Sequence, residues 1–348
     1  MEQLPYGVLA ALVGLVGGMV LGLAARLGDF CTLGAIETAS WGGDQRRLRL
    51  WGVVLGTATL GAFAAEAAGL AQITATFYHT IAWNPLASIF GGLVFGYGMA
   101  MAGNCGFGAL VRFGGGDLRS LVVVVVLGIF AFVTLSGPLA PLRIMLFPQD
   151  DAIAAQGIAH WLSGRTGIAP LAFALPVAAL FALWGLSHAP LRQRPGMIGW
   201  GVAAGLAVTF CLVGTTWLHQ GSFGEIGVEG ASFTAPVGRT LIFFMTSTAG
   251  GITFSVGLVA GVLVGALTGS TIRGMFRWEA CEDPRELGRQ VGGAALMGVG
   301  GTIALGCSVG QGVTAMSVLA FSAPVTLAAI YAGALVGLRH LIGGFQPE

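Results

Sequence analysis

Two stretches of this chain place a thiol among glycines inside otherwise apolar sequence: MAGNCGFGALV at residues 100–110 and IALGCSVGQGV at 303–313. Gly103, Asn104, Cys105 and Gly106 break the first, and Gly306, Cys307 and Gln311 belong to the second. A third thiol, Cys31, stands in GDFCTLG, with Glu37 shortly after it. Glycine allows unusual dihedrals and close approach of the backbone to a ligand. A thiol in an apolar setting stays neutral, as a weak donor with a soft, polarizable sulfur. A helix starting at such a break turns its free N–H groups and positive dipole end toward the gap, which attracts an anion without a buried Lys or Arg. The ligand that fits is an anion with a soft sulfur end. Sulfate would gain from the dipoles but little from the thiols.

Plainer readings compete at each position. A cysteine in a membrane helix is usually a small buried hydrophobe; this reading suffices for Cys211 and Cys281. Glu37 also reads as a solvated charge near a helix end, and Asn104 as a turn residue. Gln311 reads either as a donor to an oxyanion or as a helix–helix hydrogen bond. The five histidines, His79, His160, His188, His219 and His340, fall near span ends, where interfacial placement is expected. Asp150 and Asp151 read as solvated charges. No CxxC occurs and no histidine has a partner at ligand spacing, so no metal, no cofactor and no catalytic residue is expected.

The elements that must hold these residues follow from composition. Of 348 residues, 55% are hydrophobic and 9% charged, against about 25% charged in a soluble domain. Lipid must solvate much of such a chain. A net charge of +1 gives no ground for nucleic-acid binding. All sixteen basic residues are arginine. Nine segments are long enough to span: roughly 5–25, 48–70, 85–103, 118–138, 168–187, 197–218, 249–270, 288–306 and 323–342. The first has no basic lead-in and reads as a retained span, not a cleaved signal. Four shorter pieces, 29–38, 105–113, 231–246 and 307–320, read as re-entrant half-helices. The expected fold class is therefore an all-α integral membrane protein of about nine transmembrane helices plus short half-helices, in one membrane domain over 1–348. Asp283, Pro284 and Glu286 spell a capping box at the start of the eighth span. With the N-terminus outside, twelve arginines fall on inner segments and three, Arg143, Arg165 and Arg239, on outer ones; this favours N-out and C-in.

A shift of 202 residues places Gly91, Gly96, Gly98, Ala102, Cys105, Gly108 and Val111 on Gly293, Gly298, Gly300, Ala304, Cys307, Gly310 and Val313. A shift of 203 places Phe30 and Cys31 on Phe233 and Thr234. The two longer copies are five crossings apart and so run in opposite directions, as in an inverted-topology repeat. The expected organisation is 4+1+4: a first repeat over 1–138, an outer loop and connecting span over 139–196, and a second, inverted repeat over 197–348. Two such breaks should meet near mid-membrane, where transporters place substrate.

RLGDFCTLGAIE (26–37), GNCGFGALVRFGGGDLRSL (103–121) and FRWEACEDPRELGRQVGGAALMGVGGTIALGCSVGQG (276–312) resemble the YeeE/YedE sulfur-transport family. The resemblance implies a bacterial inner-membrane permease that takes up thiosulfate. It also implies functional cysteines at Cys31, Cys105 and Cys307, which pass the anion along by S–H···S contacts without a covalent intermediate. A soluble TusA-like sulfur carrier on the cytoplasmic side is an implied partner, and a monomer is expected. Some relatives are tied to selenium, so another sulfur or selenium species is an alternative solute. A further alternative is a membrane sulfurtransferase carrying a cysteine persulfide, which would need an activated thiolate. No phosphate-binding loop is present, which argues against ATP coupling in this chain.

Overall fold

The computed structural model describes residues 5–248, 251–280 and 283–343; Cys281 lies outside them. The first half contains α1 (Tyr6–Leu27), α2 (Thr32–Ser40), α3 (Arg46–Ala67), α4 (Phe77–Thr80), α5 (Pro85–Ala102), α6 (Gly106–Gly114) and α7 (Leu118–Leu135). Next come α8 (Ala140–Leu146), α9 (Ile158–Thr166), α10 (Pro170–Leu186) and α11 (Ala189–Arg192). The last part contains α12 (Pro195–Gly221), α13 (Ala235–Thr246), α14 (Phe254–Ile272), α15 (Pro284–Ile303) and α16 (Ser322–Gly343). Between α15 and α16 runs a further short helix, 308–317, whose middle, Gly310–Ala315, is π-helical.

A helix covers most of each of the nine expected spans, with residues 249–250 of the seventh outside the described residues, and the protein is an all-α integral membrane protein. Among the described residues, seven helical stretches are long and apolar enough to cross a bilayer. The other two expected spans differ for physical reasons. α10 has 17 residues, about 25 Å at 1.5 Å per residue. α15 carries Arg285, Glu286 and Arg289 in its first two turns, which lowers its mean apolarity.

Local chemistry sets the helix starts. Asn84 caps α5, accepting from the N–H groups of Leu86 (3.1 Å) and Ala87 (3.2 Å), with Pro85 preset for the first turn. Asp117 caps α7 and Asp283 caps α15. Glu286 accepts from Gln290 one turn on, at 2.9 Å.

Glycine decides which helices pair. A methyl at Gly14, Gly18 or Gly22 of α1 would strike the backbone of α14, and one at Gly257, Gly261 or Gly265 of α14 would strike α1. Removing six Cβ atoms lets the two backbones lie side by side, the close approach that small residues give membrane helices. The order of these contacts makes α1 and α14 parallel. The same reasoning makes α5 parallel to α16, through Gly92, Gly96, Gly333 and Gly337, and α3 parallel to α12, through Gly61, Gly201 and Gly205. α7 runs beside α15, where Thr302 Oγ1 donates to the Ala131 carbonyl at 3.2 Å. Exchange α1, α2, α3, α5, α6 and α7 in order with α12, α13, α14, α15, the 308–317 helix and α16, and this pairing scheme maps onto itself. Two faces result. The upper face holds the start of α1 and the segments 68–84, 136–169 and 318–321; the lower face holds 41–45, 115–117 and 187–194.

Candidate functional site

Four short helices begin in the middle of this bundle. α2 and α6 run from the centre to the lower face; α13 and the 308–317 helix run to the upper one. The residue immediately before each first turn is Cys31, Cys105, Thr234 and Cys307 in chain order. The apolar sequence is broken there by specific backbone states. Gly103, at the end of α5, has φ +75°, and Gly306 has φ +155°. Beside Gly306, Leu305 adopts φ +58°, a left-handed state that costs a branched residue energy.

The four starts converge. Thr32 Oγ1 donates to Ser308 Oγ at 3.0 Å and sits 3.9 Å from Cys105 Sγ, so the first turns of α2, α6 and the 308–317 helix touch. Ser308 also lies against the Cys105 thiol. Cys307 Sγ accepts from the N–H groups of Phe233 at 3.2 Å and Gly310 at 3.3 Å, which ties it to the start of α13. Cys105 Sγ accepts from the Gly108 N–H at 3.3 Å, the matching bond of the other half. The rings of Phe30 and Phe107 lie 6.2 Å apart and those of Phe107 and Phe233 4.9 Å apart, an aromatic plug around the convergence. Gly106 admits it: a Cβ there would stand 3.1 Å from the Phe233 carbonyl.

Cys105 and Cys307 are fully buried, while Cys31 is half-buried. Asn104 is buried, and its side-chain oxygen has no hydrogen-bond partner. Gln311 turns away from the thiols. Its amide donates to the Ala304 carbonyl at 2.7 Å and the Leu305 carbonyl at 3.3 Å, and its oxygen accepts from Ser322 at 3.1 Å. Glu37 is exposed on α2, more than a turn from Cys31. Cys211 packs against Gly17 of α1, away from the convergence.

Among the described residues, one of the upper-side cavities borders the convergence and another cavity lies on the lower side. The upper one, about 360 Å³, has Ser232, Thr234 and Gly306 at its floor and the Glu229–Arg239 ion pair (2.9 Å) in its wall. The lower one, about 190 Å³, is lined by Arg26, Arg112, Arg119, Arg277, Asp117 and Glu279. Arg47 rests against Gly34, beside Cys31.

With the upper cavity reaching Ser232 and Gly306, the neighbours of the buried Cys307, comparison with known proteins decides the family. A family model described as sulphur transport matches residues 27–336. The chain belongs to the sulphur-transport family. It is 28% identical over 249 residues to a protein named thiosulfate transporter TsuA from Spirochaeta thermophila, covering 69% of this chain and 72% of that one. It is 25% identical over 327 residues to a protein of the same name from Escherichia coli K12, covering 86% of each. As a sulphur-transport protein, the chain holds two hydroxyls that spacing alone did not flag, Thr32 and Ser308. The signal was local: each directly follows one of the thiols. Arg47 is 16 residues from Cys31 in sequence, and only the fold brings the two together at Gly34.

Proposed function

We propose that this chain is a thiosulfate permease of the bacterial inner membrane, with Cys31, Cys105 and Cys307 along the path. The observation that carries this reading is the convergence of four helix N-termini on a dry centre with thiols at three of them. Each N-terminus presents roughly half a positive charge. Four together amount to about two, which matches a dianion without a buried cation whose desolvation would cost several kcal/mol. The thiols give the terminal sulfur a soft partner that water and oxygen ligands do not. The names of the two relatives support the same solute.

The anion enters through the upper cavity, meets Cys307, passes Cys105 beside Ser308 and Thr32, and leaves by Cys31 toward the lower arginines. Asn104, with its free oxygen, and the Gly103, Gly106 and Gly306 backbone line the passage; Gln311 shapes it from behind. Glu37 stands at the exit on the lower side. That side is cytoplasmic, supported by the twelve-to-three arginine bias, which puts the N-terminus outside and the C-terminus inside. A TusA-like soluble carrier would receive the solute there from a monomeric permease. The self-matching helix pairing supports an inverted repeat of 1–138 and 197–348 joined through 139–196.

Growth on thiosulfate as sole sulfur source, in cells lacking their own uptake, tests the reading. Wild-type chain should restore growth, and Cys31→Ala, Cys105→Ala and Cys307→Ala should each abolish or cripple it. Normal growth of all three variants would sink the thiol path. A stable added sulfur on any of the three after thiosulfate exposure, read by mass spectrometry, would favour a sulfurtransferase instead.

A further inference from the structure

Among the described residues, the buried hydroxyls of Tyr78 and Thr234 near Cys307 lack a hydrogen-bond partner in good geometry. Tyr78, on α4, is 4% exposed, and its hydroxyl meets no hydrogen-bond partner in good geometry, although Ser232 stands beside it. It points at the break: a Cβ added at Gly310 would sit 3.1 Å from the phenol oxygen, and one at Gly306, on the cavity floor, 3.4 Å. Thr234 is 2% exposed, lines the upper cavity, and its Oγ1 is also unpartnered. A threonine before a helix normally bonds the free N–H groups of the first turn. Thr234 makes no such bond to α13. Ser232 completes the group, its Oγ 4.0 Å from Cys307 Sγ.

An unpaired hydroxyl in a dry interior costs about 1–3 kcal/mol, and two within one small region call for a function. Neutral hydroxyls can give hydrogen bonds to the oxygens of an anion and add no charge that would hold it back. Tyr78 and Ser232 flank the Cys307 thiol, and Thr234 faces the cavity above it. A thiosulfate whose terminal sulfur meets Cys307 would carry its three oxygens on the cavity side, within the span of these groups.

We propose that Tyr78, Thr234 and Ser232 form a hydroxyl collar that binds the sulfonate oxygens of the incoming anion and orients its sulfur toward Cys307. This rests on the thiosulfate reading above and names the residues that set entry affinity and orientation.

The collar makes a prediction that a structural role does not. Removing an orphan hydroxyl leaves the empty protein as stable or more so, yet weakens the ligand. In proteoliposomes, Tyr78→Phe and Thr234→Val should each raise the thiosulfate KM about tenfold or more, the worth of one hydrogen bond to a charged group. Melting of the ligand-free variants should match or exceed wild type, and the upward melting shift on adding thiosulfate should shrink. Thr234→Ser keeps the hydroxyl and should keep the wild-type KM, which preserves the test if Tyr78→Phe folds poorly. Unchanged KM in Thr234→Val and Tyr78→Phe, with wild type active, overturns the collar alone. So does a large loss of ligand-free stability with KM intact. Wild-type protein that takes up no thiosulfate overturns the permease reading itself, and with it the collar.

Discussion

Gln311 is the side chain that closes the break after α15, and replacing it should unfasten that break. Its amide hydrogens go to the carbonyls of Ala304 (2.7 Å) and Leu305 (3.3 Å), groups left over where α15 stops, and its oxygen takes the Ser322 hydroxyl (3.1 Å). The residue is fully buried, so water is a poor substitute. Gln311→Leu keeps comparable bulk and strips all three partners. Each buried group left unsatisfied costs about 1–3 kcal/mol, so the total comes to ~3–6 kcal/mol after partial relaxation. Leu305, held at φ +58°, is then free to relax, and Cys307 two residues on shifts with it. Thermal unfolding of the detergent-purified protein should drop by many degrees, and thiosulfate uptake should fall at least tenfold even at temperatures where the variant stays folded. A Gln311→Leu protein with wild-type melting and uptake would refute the reasoning, because it would mean that the carbonyls at the break find other partners at no cost.

Gly257→Ala puts a methyl onto the Ala11 carbonyl across the α1–α14 contact; overpacking of this kind costs about 1–3 kcal/mol, to be seen as a lower melting temperature and poorer membrane yield. Cys211→Ala removes a buried thiol remote from the convergence, and uptake should stay within about twofold of wild type, given that surface-remote volume losses act on stability first; a dead variant would show that the path runs elsewhere. His79, buried on the upper side with its Nε2 3.1 Å from the Val318 carbonyl and its ring 5.2 Å from that of His160, is pushed down to about 4 by burial and by its neighbour. The unfolded chain takes up that proton near 6.5, so stability is whole above that pH and declines as pH falls from about 6.5 to about 4, by up to ~3 kcal/mol. Melting scans of wild type and His79→Gln at pH 7.5 and 4.5 check this: the wild type should lose more, and equal losses would count against it.

The spans were readable because nine helices each need a run of apolar residues and because Asp283, Pro284 and Glu286 announce one start; the caps at Asn84 and Asp117 came from the structure. The breaks were readable because glycine beside a thiol makes no sense in the middle of a lipid-facing helix. What escaped the sequence depends on tertiary placement. Gln311 carries two chemically sensible roles in one side chain, and only the position of the Ala304 and Leu305 carbonyls shows where its hydrogens go. The histidines look isolated along the chain, yet His160 Nε2 lies 2.9 Å from Glu66 Oε1, 94 residues away, with His79 packed edge-on against it. Tyr78 belongs to a four-residue helix too short to leave any periodic signal.

The glycine seams between α1 and α14, α3 and α12, and α5 and α16 also bear on how the protein is made. Each early helix has its nearest parallel companion in a part of the chain that has not been translated when it enters the bilayer. The first four long helices must therefore wait, with their grooves filled by lipid or by the insertion machinery, until the later ones arrive to replace that filling. Neither portion is a self-sufficient nascent unit, and co-expressing the chain as two pieces cut at the 136–169 connection should yield stable membrane protein only when both are present.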